Sequence, residues 1–73
     1  MIATNRVMDI AAKFGKRVKQ IRLRKKLSQG DIARRLGIGA SYISQVERSV
    51  QNVSLKGVEK LAKALGVSIK ELI

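Results

Sequence analysis

The stretch QGDIARRLGIGASYISQVER, residues 29–48, decides the fold of this chain. It holds two short segments whose apolar residues recur at helical spacing, with two glycines between them. Ala33 is small enough for a second helix to cross closely, and Gly37 can adopt the positive φ that a sharp turn after a helix requires. We expect one helix over about residues 29–36 and another that begins near Ala40 and exposes its polar face.

The composition favours a small helical protein with a polyanionic partner. Sixteen Lys and Arg against 5 acids give the 73 residues a formal net charge of +11. Nucleic acid, an anionic membrane and an acidic protein all remain candidate partners at that charge. The sequence has no Cys or His, and no two acids stand at i,i+3 or i,i+4. We therefore expect no enzyme activity, metal site or cofactor, and no small-molecule ligand is evident.

The length of the chain and its first residues indicate how many domains it forms and in which compartment it acts. A chain of 73 residues is expected to form one domain, residues 1–73. The segment from Met1 to Asp9 does not read as a secretory signal, and no apolar run approaches the length of a membrane span. The absence of cysteine agrees with a reducing compartment. We expect a cytoplasmic protein without a membrane partner.

Helical signals surround the central pair. A first helix is expected over about Val7–Lys26, with one apolar stripe made by Ile10, Phe14, Val18 and Ile21. Ser28 and Asp31 have the spacing of a capping box, as do Ser68 and Glu71, and Ser54 can cap a helix over about Leu55–Leu65. The pattern predicts an all-α bundle of five short helices.

The two central helices have the pattern expected of a helix-turn-helix, over about residues 28–48. Its expected core anchors are Ile32, Leu36, Ile38, Ile43 and Val46. With these buried, the second helix is propped outward and can enter the major groove of DNA. Residues 54–73 are expected to complete the core and to supply a dimer interface.

A resemblance to a known family agrees with this geometry. Its carriers are Phe14-Gly15, Ile21-Arg22, Leu27-Ser28-Gln29, Ile32-Ala33, Leu36-Gly37, Tyr42-Ile43-Ser44, Glu47-Arg48, Asn52-Val53-Ser54-Leu55, Leu65-Gly66-Val67-Ser68 and Glu71-Leu72. In this order they resemble the lambda-Cro/XRE class of helix-turn-helix repressors. Within that class the chain is most similar to the controller proteins of restriction-modification systems, although short phage repressors and antitoxins share the frame. The resemblance implies a lambda repressor-like DNA-binding domain and a transcriptional regulator that binds double-stranded DNA, with an autoregulatory role at its own gene as one candidate.

Candidate DNA contacts follow from the geometry and the resemblance together. They are Gln29, Ala40, Ser41, Tyr42, Ser44, Gln45, Arg48 and Asn52. The amide of Gln45 can pair with the N6 and N7 edge of adenine. Ala40 departs from the long side chain that controllers often carry there, and Gly39 stands where a capping Ser, Thr or Asp is usual. Recognition is therefore expected to rely partly on DNA shape.

Three assignments have structural alternatives. The resemblance places Gln29 and Asn52 on the DNA backbone, but each could be an ordinary surface residue. Tyr42 is expected to place its hydroxyl on a phosphate, with core packing as the alternative. By the same resemblance, Arg22 and Glu47 form an ion pair that fixes the recognition helix and reads no DNA.

Apolar residues near the carboxyl terminus suggest a homodimer. They are Leu55, Val58, Ile69, Leu72 and Ile73, which could instead complete the core. A dimer would read a near-palindromic operator with two copies of the recognition helix. The rival functions are an antitoxin that binds a toxin, a membrane-active amphipathic protein and a sequence-neutral nucleic-acid coat.

Overall fold

The computed structural model describes the backbone of residues 3–73 and the side chains from Ile10 onward. Met1 and Ile2, which belong to the expected domain, lie outside the described residues. Within that range the chain forms α1 (Ala3–Arg24), α2 (Gln29–Leu36), α3 (Ala40–Glu47), α4 (Leu55–Leu65) and a 3-10 turn (Ile69–Glu71).

The expected all-helical fold is confirmed, but the fifth helix is only a 3-10 turn. The backbone N–H of Leu72 donates to the carbonyl of Ile69 at 2.9 Å, a contact between residues three apart. Hydrogen bonds of this spacing are typical of a 3-10 helix, which is more tightly wound than an α-helix and usually extends over only a few residues. The described part of the chain therefore has four α-helices where five helices were expected.

The predicted helix ends follow local capping chemistry. The hydroxyl of Ser28 accepts the N–H of Asp31, whose carboxylate accepts the N–H of Ser28, so this capping box is confirmed. Gly37 has a φ of 72°, the left-handed conformation predicted for it. Helix α1 ends at Arg24, slightly before the predicted Lys26, because Lys26 itself adopts a φ of 59°.

The core lies where the α2–α3 hairpin packs between α1 and α4. Its most deeply buried large side chains are Val18, Ile21, Ile32, Ile43, Val46, Leu61 and Leu65. Two residues predicted to point inward do not: Ile10 is 64% exposed and Ile38 is 40% exposed. Ile10 lines a surface groove with Phe14 and Ile73, whereas Ile38 stands in the turn between α2 and α3.

The apolar residues near the carboxyl terminus divide into two groups. Val58 and Leu72 are buried within the single chain, where they complete the core, as the alternative to a dimer interface predicted. Val58 lies on the inner face of α4, and Leu72 is carried inward by the 3-10 turn that precedes it. Leu55 and Ile73 are 88% and 82% exposed, and Ile69 is 39% exposed. These three residues remain available to a second chain.

Candidate nucleic-acid interface

The recognition helix α3 begins without a side-chain cap. Gly39 occupies the N-cap position in an extended conformation and has no side chain to accept a hydrogen bond. The first N–H groups of a helix have no partner within the helix, and its aligned peptide dipoles place partial positive charge there. Ala40 and Ser41, which provide those N–H groups, are both exposed. The start of α3 can therefore approach a phosphate or the acceptor edge of a base.

The outward side of α3 collects most of the predicted contact residues. Ala40, Ser41 and Arg48 are exposed, and Ser44 and Gln45 are half-buried at the margin. Ile43 and Val46 fix the opposite side of the same helix in the core. The side chains of Ala40, Ser41 and Ser44 are short, so the start of the helix backbone can come close to a groove floor.

Tyr42 packs against the core, which is the structural alternative predicted for it. Its ring is half-buried and packs against the core, and it lines a groove between α3 and the start of α4 with Ser54 and Lys56. The hydroxyl lies 3.8 Å from the position that a Cβ on Gly57 would occupy. That same Cβ would lie 2.8 Å from Cγ1 of Val53, so the glycine inside α4 marks a close approach.

Arg22 and Glu47 form an ion pair between α1 and the end of α3. Arg22 Nε donates to Glu47 Oε2 at 2.6 Å, and Nη2 donates to Oε1 at 3.0 Å. The two side chains are only 9% and 4% exposed. The hydrogen bond to Glu47 raises the pKa of the Arg22 guanidinium, against the opposing effect of burial. Its Nη1 donates to the carbonyl of Leu27 at 3.0 Å, which ties the turn before α2 to the same pair.

Gln29 joins this ion pair, a contact that the sequence analysis missed. Its Nε2 donates to Glu47 Oε1 at 3.0 Å from the first turn of α2. We call Arg22, Gln29 and Glu47 the polar clamp, because together they connect α1, α2 and α3. Gln29 is half-buried, and no local pattern marks the contact because 18 residues separate Gln29 from Glu47.

The loop after α3 is anchored to α1 and leaves Asn52 outside. Ser49 has a φ of 63°, and its hydroxyl donates to the carbonyl of Ala11 at 3.0 Å. Asn52 is exposed, and its carbonyl accepts a hydrogen bond from the side chain of Gln51 at 3.3 Å. The loop therefore places Asn52 at the surface beyond the end of the recognition helix.

Three cations donate hydrogen bonds to backbone carbonyls of residues 64–71. Arg35 donates to the carbonyl of Ala64 at 2.7 Å, and Lys25 donates to that of Gly66 at 3.2 Å, both at the end of α4. Arg17 donates to the carbonyl of Glu71 at 2.7 Å. Cations are stabilising at helix carboxyl ends, where carbonyls lack partners. Arg17 and Lys25 are therefore engaged with the protein itself.

Other kinds of site find no support in the described residues. Among the side chains that the structure describes, from Ile10 onward, no group of three or more acidic residues is placed to hold a metal ion. Over the same range, no helix combines the length and apolar character needed to cross a bilayer.

Comparison with known proteins agrees with this geometry. A family model described as helix-turn-helix matches residues 18–72. The chain is 46% identical to the control protein C.BamHI of Bacillus amyloliquefaciens over 66 residues, which cover 89% of this chain and 82% of that protein. The crystal structure of the restriction-modification controller protein C.AhdI from Aeromonas hydrophila aligns with a TM-score of 0.83 and 42% identity, covering 90% of this chain and 98% of that one.

A further solved structure contains DNA. The controller protein C.Esp1396I, solved as a tetramer in complex with its natural 35-base-pair operator, aligns with a TM-score of 0.77 and 34% identity. The alignment covers 86% of this chain and 93% of that one. The helix-turn-helix, its uncapped recognition helix and these similarities agree, and the chain belongs to the helix-turn-helix family that includes the control proteins of restriction-modification systems.

Proposed function

We propose that this protein is a sequence-specific regulator of transcription that binds double-stranded DNA through α3 and has no catalytic activity of its own. The observation that carries the proposal is the exposed, uncapped start of α3, on a helix whose opposite side is fixed in the core. The net charge of +11 adds an electrostatic attraction between the protein and the phosphate backbone of DNA. Because its target is DNA, we expect it to act in the cytoplasm.

The DNA contacts divide into two classes. We propose that Ala40, Ser41, Ser44 and Gln45 face base edges from the outward side of α3. Tyr42, Arg48, Asn52 and Gln29 would hold phosphates around the helix. Gln45 offers the one long amide of the first class, and the methyl group of Ala40 can contact a thymine methyl. The short side chains leave a large share of recognition to the shape of the DNA.

The proposed regulator acts as a homodimer. Leu55, Ile69 and Ile73 are exposed apolar residues at the carboxyl-terminal side of the fold. Ile73 lines one groove with Val58, which is three residues after Leu55 on α4. A dimer that binds two half-sites one turn of DNA apart needs its two recognition helices about 34 Å apart. C.Esp1396I assembles as a tetramer on its own operator, which supports an oligomeric binder here.

The control proteins among the relatives suggest which DNA to test. We propose that the target includes the DNA immediately upstream of the protein's own gene, as expected for an autoregulator. The experiment is fluorescence anisotropy with that DNA and with a scrambled duplex of equal length and composition, both at 150 mM salt. We expect a preference of about 10³ or more, the usual margin of specific over non-specific binding. Equal affinity for the two duplexes would contradict specific recognition of this DNA.

Salt dependence separates the backbone contribution from base recognition. A protein that contacts six to ten phosphates weakens by about 10³ to 10⁵ between 50 and 200 mM salt. We expect the affinity for both duplexes to fall by a factor in that range, because both duplexes present the same phosphate backbone. A flat response would show that phosphate contacts do not hold the complex.

A further inference from the structure

We propose that the exposed half of α1 is a second DNA-binding surface, which holds the phosphate backbone of another duplex while α3 occupies the first. We call this surface the basic face of α1. Its exposed residues are Lys13, Lys16, Lys19, Gln20, Leu23 and Arg24. The inference rests on the proposed function for the first duplex only, and it goes beyond that function because it gives one protein two separate contacts with DNA.

The basic face lies on the side of α1 that is turned away from the recognition helix. Successive residues of an α-helix are rotated by about 100°, which places Lys16 and Gln20 opposite the fully buried Val18. On the packed side, Gly15 lies against the carbonyl oxygen of Val46 near the carboxyl end of α3. A duplex bound along the outward side of α3 therefore leaves the basic face of α1 open.

The cations of the basic face have no carboxylate to balance them. No Asp or Glu occurs from residue 10 to residue 30. The ion pairs among the described side chains all involve residues outside this face. Like charges three residues apart on a helix repel each other, as those of Lys16 and Lys19 do. A polyanion bound to this face would remove that repulsion.

Other cations of the chain are engaged or have acidic neighbours. Arg17 and Lys25 donate hydrogen bonds to backbone carbonyls. On α4, Glu59 stands three residues after Lys56 and four before Lys63, spacings at which opposite charges attract on a helix. Among the described helices, α1 therefore has the exposed face on which positive charge is least compensated.

Duplex DNA fits the basic face better than a protein partner does. Lysine binds phosphates as a point charge, and such contacts need no particular base sequence. The centre of a protein–protein interface is instead depleted in charged residues and built around apolar anchors, whereas Leu23 is the one apolar residue of this face. From Lys13 to Arg24 the face extends about 16 Å along α1, a length over which a duplex carries about ten phosphates.

Capture of a second duplex tests the proposal. The upstream duplex is attached to beads, the protein is bound to it, and a fluorescent scrambled duplex is then added at about 50 mM salt, where phosphate contacts are strong. Both duplexes are much shorter than the persistence length of about 150 base pairs, so neither can bend around the protein to reach the basic face. We expect the wild-type protein to retain the fluorescent duplex, and beads without protein to retain none.

A charge-neutralised variant shows whether the basic face holds the second duplex. The variant is Lys16→Gln/Lys19→Gln/Arg24→Gln, in which helix propensity is nearly unchanged. The matched control removes the same charge from exposed positions on and after α4, as Lys60→Gln/Lys63→Gln/Lys70→Gln. We expect both variants to bind the first duplex equally. Relative to the control, the α1 variant is expected to lose about tenfold or more in affinity for the second duplex, because three phosphate contacts are removed.

The outcomes separate this inference from the proposed function. An α1 variant that retains the second duplex as well as the control does would assign it to another surface and overturn the inference. Bound wild-type protein that retains no second duplex would overturn it too, as would capture of fluorescent polyglutamate in place of the duplex, which indicates an acidic protein partner. Capture of a second duplex by a wild-type protein without preference for the upstream DNA would contradict the proposed function alone.

Discussion

Gly15 of α1 lies directly against the carbonyl oxygen of Val46 near the end of α3. A Cβ on Gly15 would be 2.6 Å from that oxygen, 2.9 Å from the carbonyl oxygen of Glu47 and 2.9 Å from the hydroxyl of Ser49. Two of these atoms belong to the backbone, which cannot move aside as the end of a side chain can. The position of the recognition helix on α1 therefore depends on the absence of a side chain at Gly15.

The substitution Gly15→Ala is expected to destabilise the protein by about 1–3 kcal/mol, the usual cost of overpacking. The measurement is the free energy of unfolding in urea. Gly30→Ala is the matched control, because a Cβ at Gly30 meets only two side-chain atoms, both at 3.6 Å. Alanine favours helix by about 1 kcal/mol over glycine, so the control is expected to gain stability. A neutral Gly15→Ala variant would contradict the close packing of α1 on α3.

The Arg22–Glu47 ion pair leads to a prediction about stability and recognition. Glu47→Gln leaves a buried guanidinium without its carboxylate, which costs about 3–5 kcal/mol when such a pair is broken. We expect thermal stability to fall before the preference between operator and scrambled DNA falls, because Glu47 reads no base. The exposed Glu59→Gln is the control. An unchanged melting curve with an altered preference would refute the assigned role.

The exposed and buried apolar residues near the carboxyl terminus are expected to respond differently to substitution. Leu55→Glu should convert a dimer to a monomer in sedimentation experiments with little loss of monomer stability, since Leu55 is 88% exposed. Leu23→Glu, on the solvent side of α1, is the control for the added charge. A Leu55→Glu variant that remains dimeric would place the interface elsewhere.

Leu72→Ala tests the prediction for a buried apolar residue near the carboxyl terminus. Leu72 is only 3% exposed, so its truncation is expected to cost about 2–5 kcal/mol of stability through a cavity in the core. Thermal or urea unfolding measures that cost at a protein concentration where the oligomeric state is fixed. A loss below about 0.5 kcal/mol, the range typical of surface positions, would contradict its burial.

The lowered pKa of Asp31 predicts that the stability of the protein depends on pH in the acidic range. Hydrogen bonds from the backbone and side chain of Ser28 lower the pKa of Asp31 below its usual value. Its contribution to stability is therefore full above the unfolded value of about 3.9 and is lost as the pH falls through the lower folded value. Asp31→Asn should reduce Tm at pH 7 and converge with the wild type near pH 2. Parallel Tm curves at every pH would contradict the capping role.

Sequence reasoning was accurate where the controlling interactions are local. The capping box of Ser28 and Asp31 spans four residues, and the left-handed turn at Gly37 depends on the backbone freedom of one residue. Helical periodicity likewise reports which side of α3 is apolar, which is how Ile43 and Val46 were correctly assigned to the core. These interactions form between near neighbours, so their signals are contiguous in the chain.

The sequence alone determined the all-helical character of the fold, the capping of α2 and α4, the apolar side of α3 and the excess of positive charge that suits DNA. Only the tertiary structure decided that Gln29 binds Glu47, that Val58 and Leu72 are buried, and that Ile10 is exposed. Each of these depends on how helices cross after they form, which joins residues far apart in the chain. A periodic pattern shows that a residue lies on the apolar side of its helix, but only packing determines what covers it.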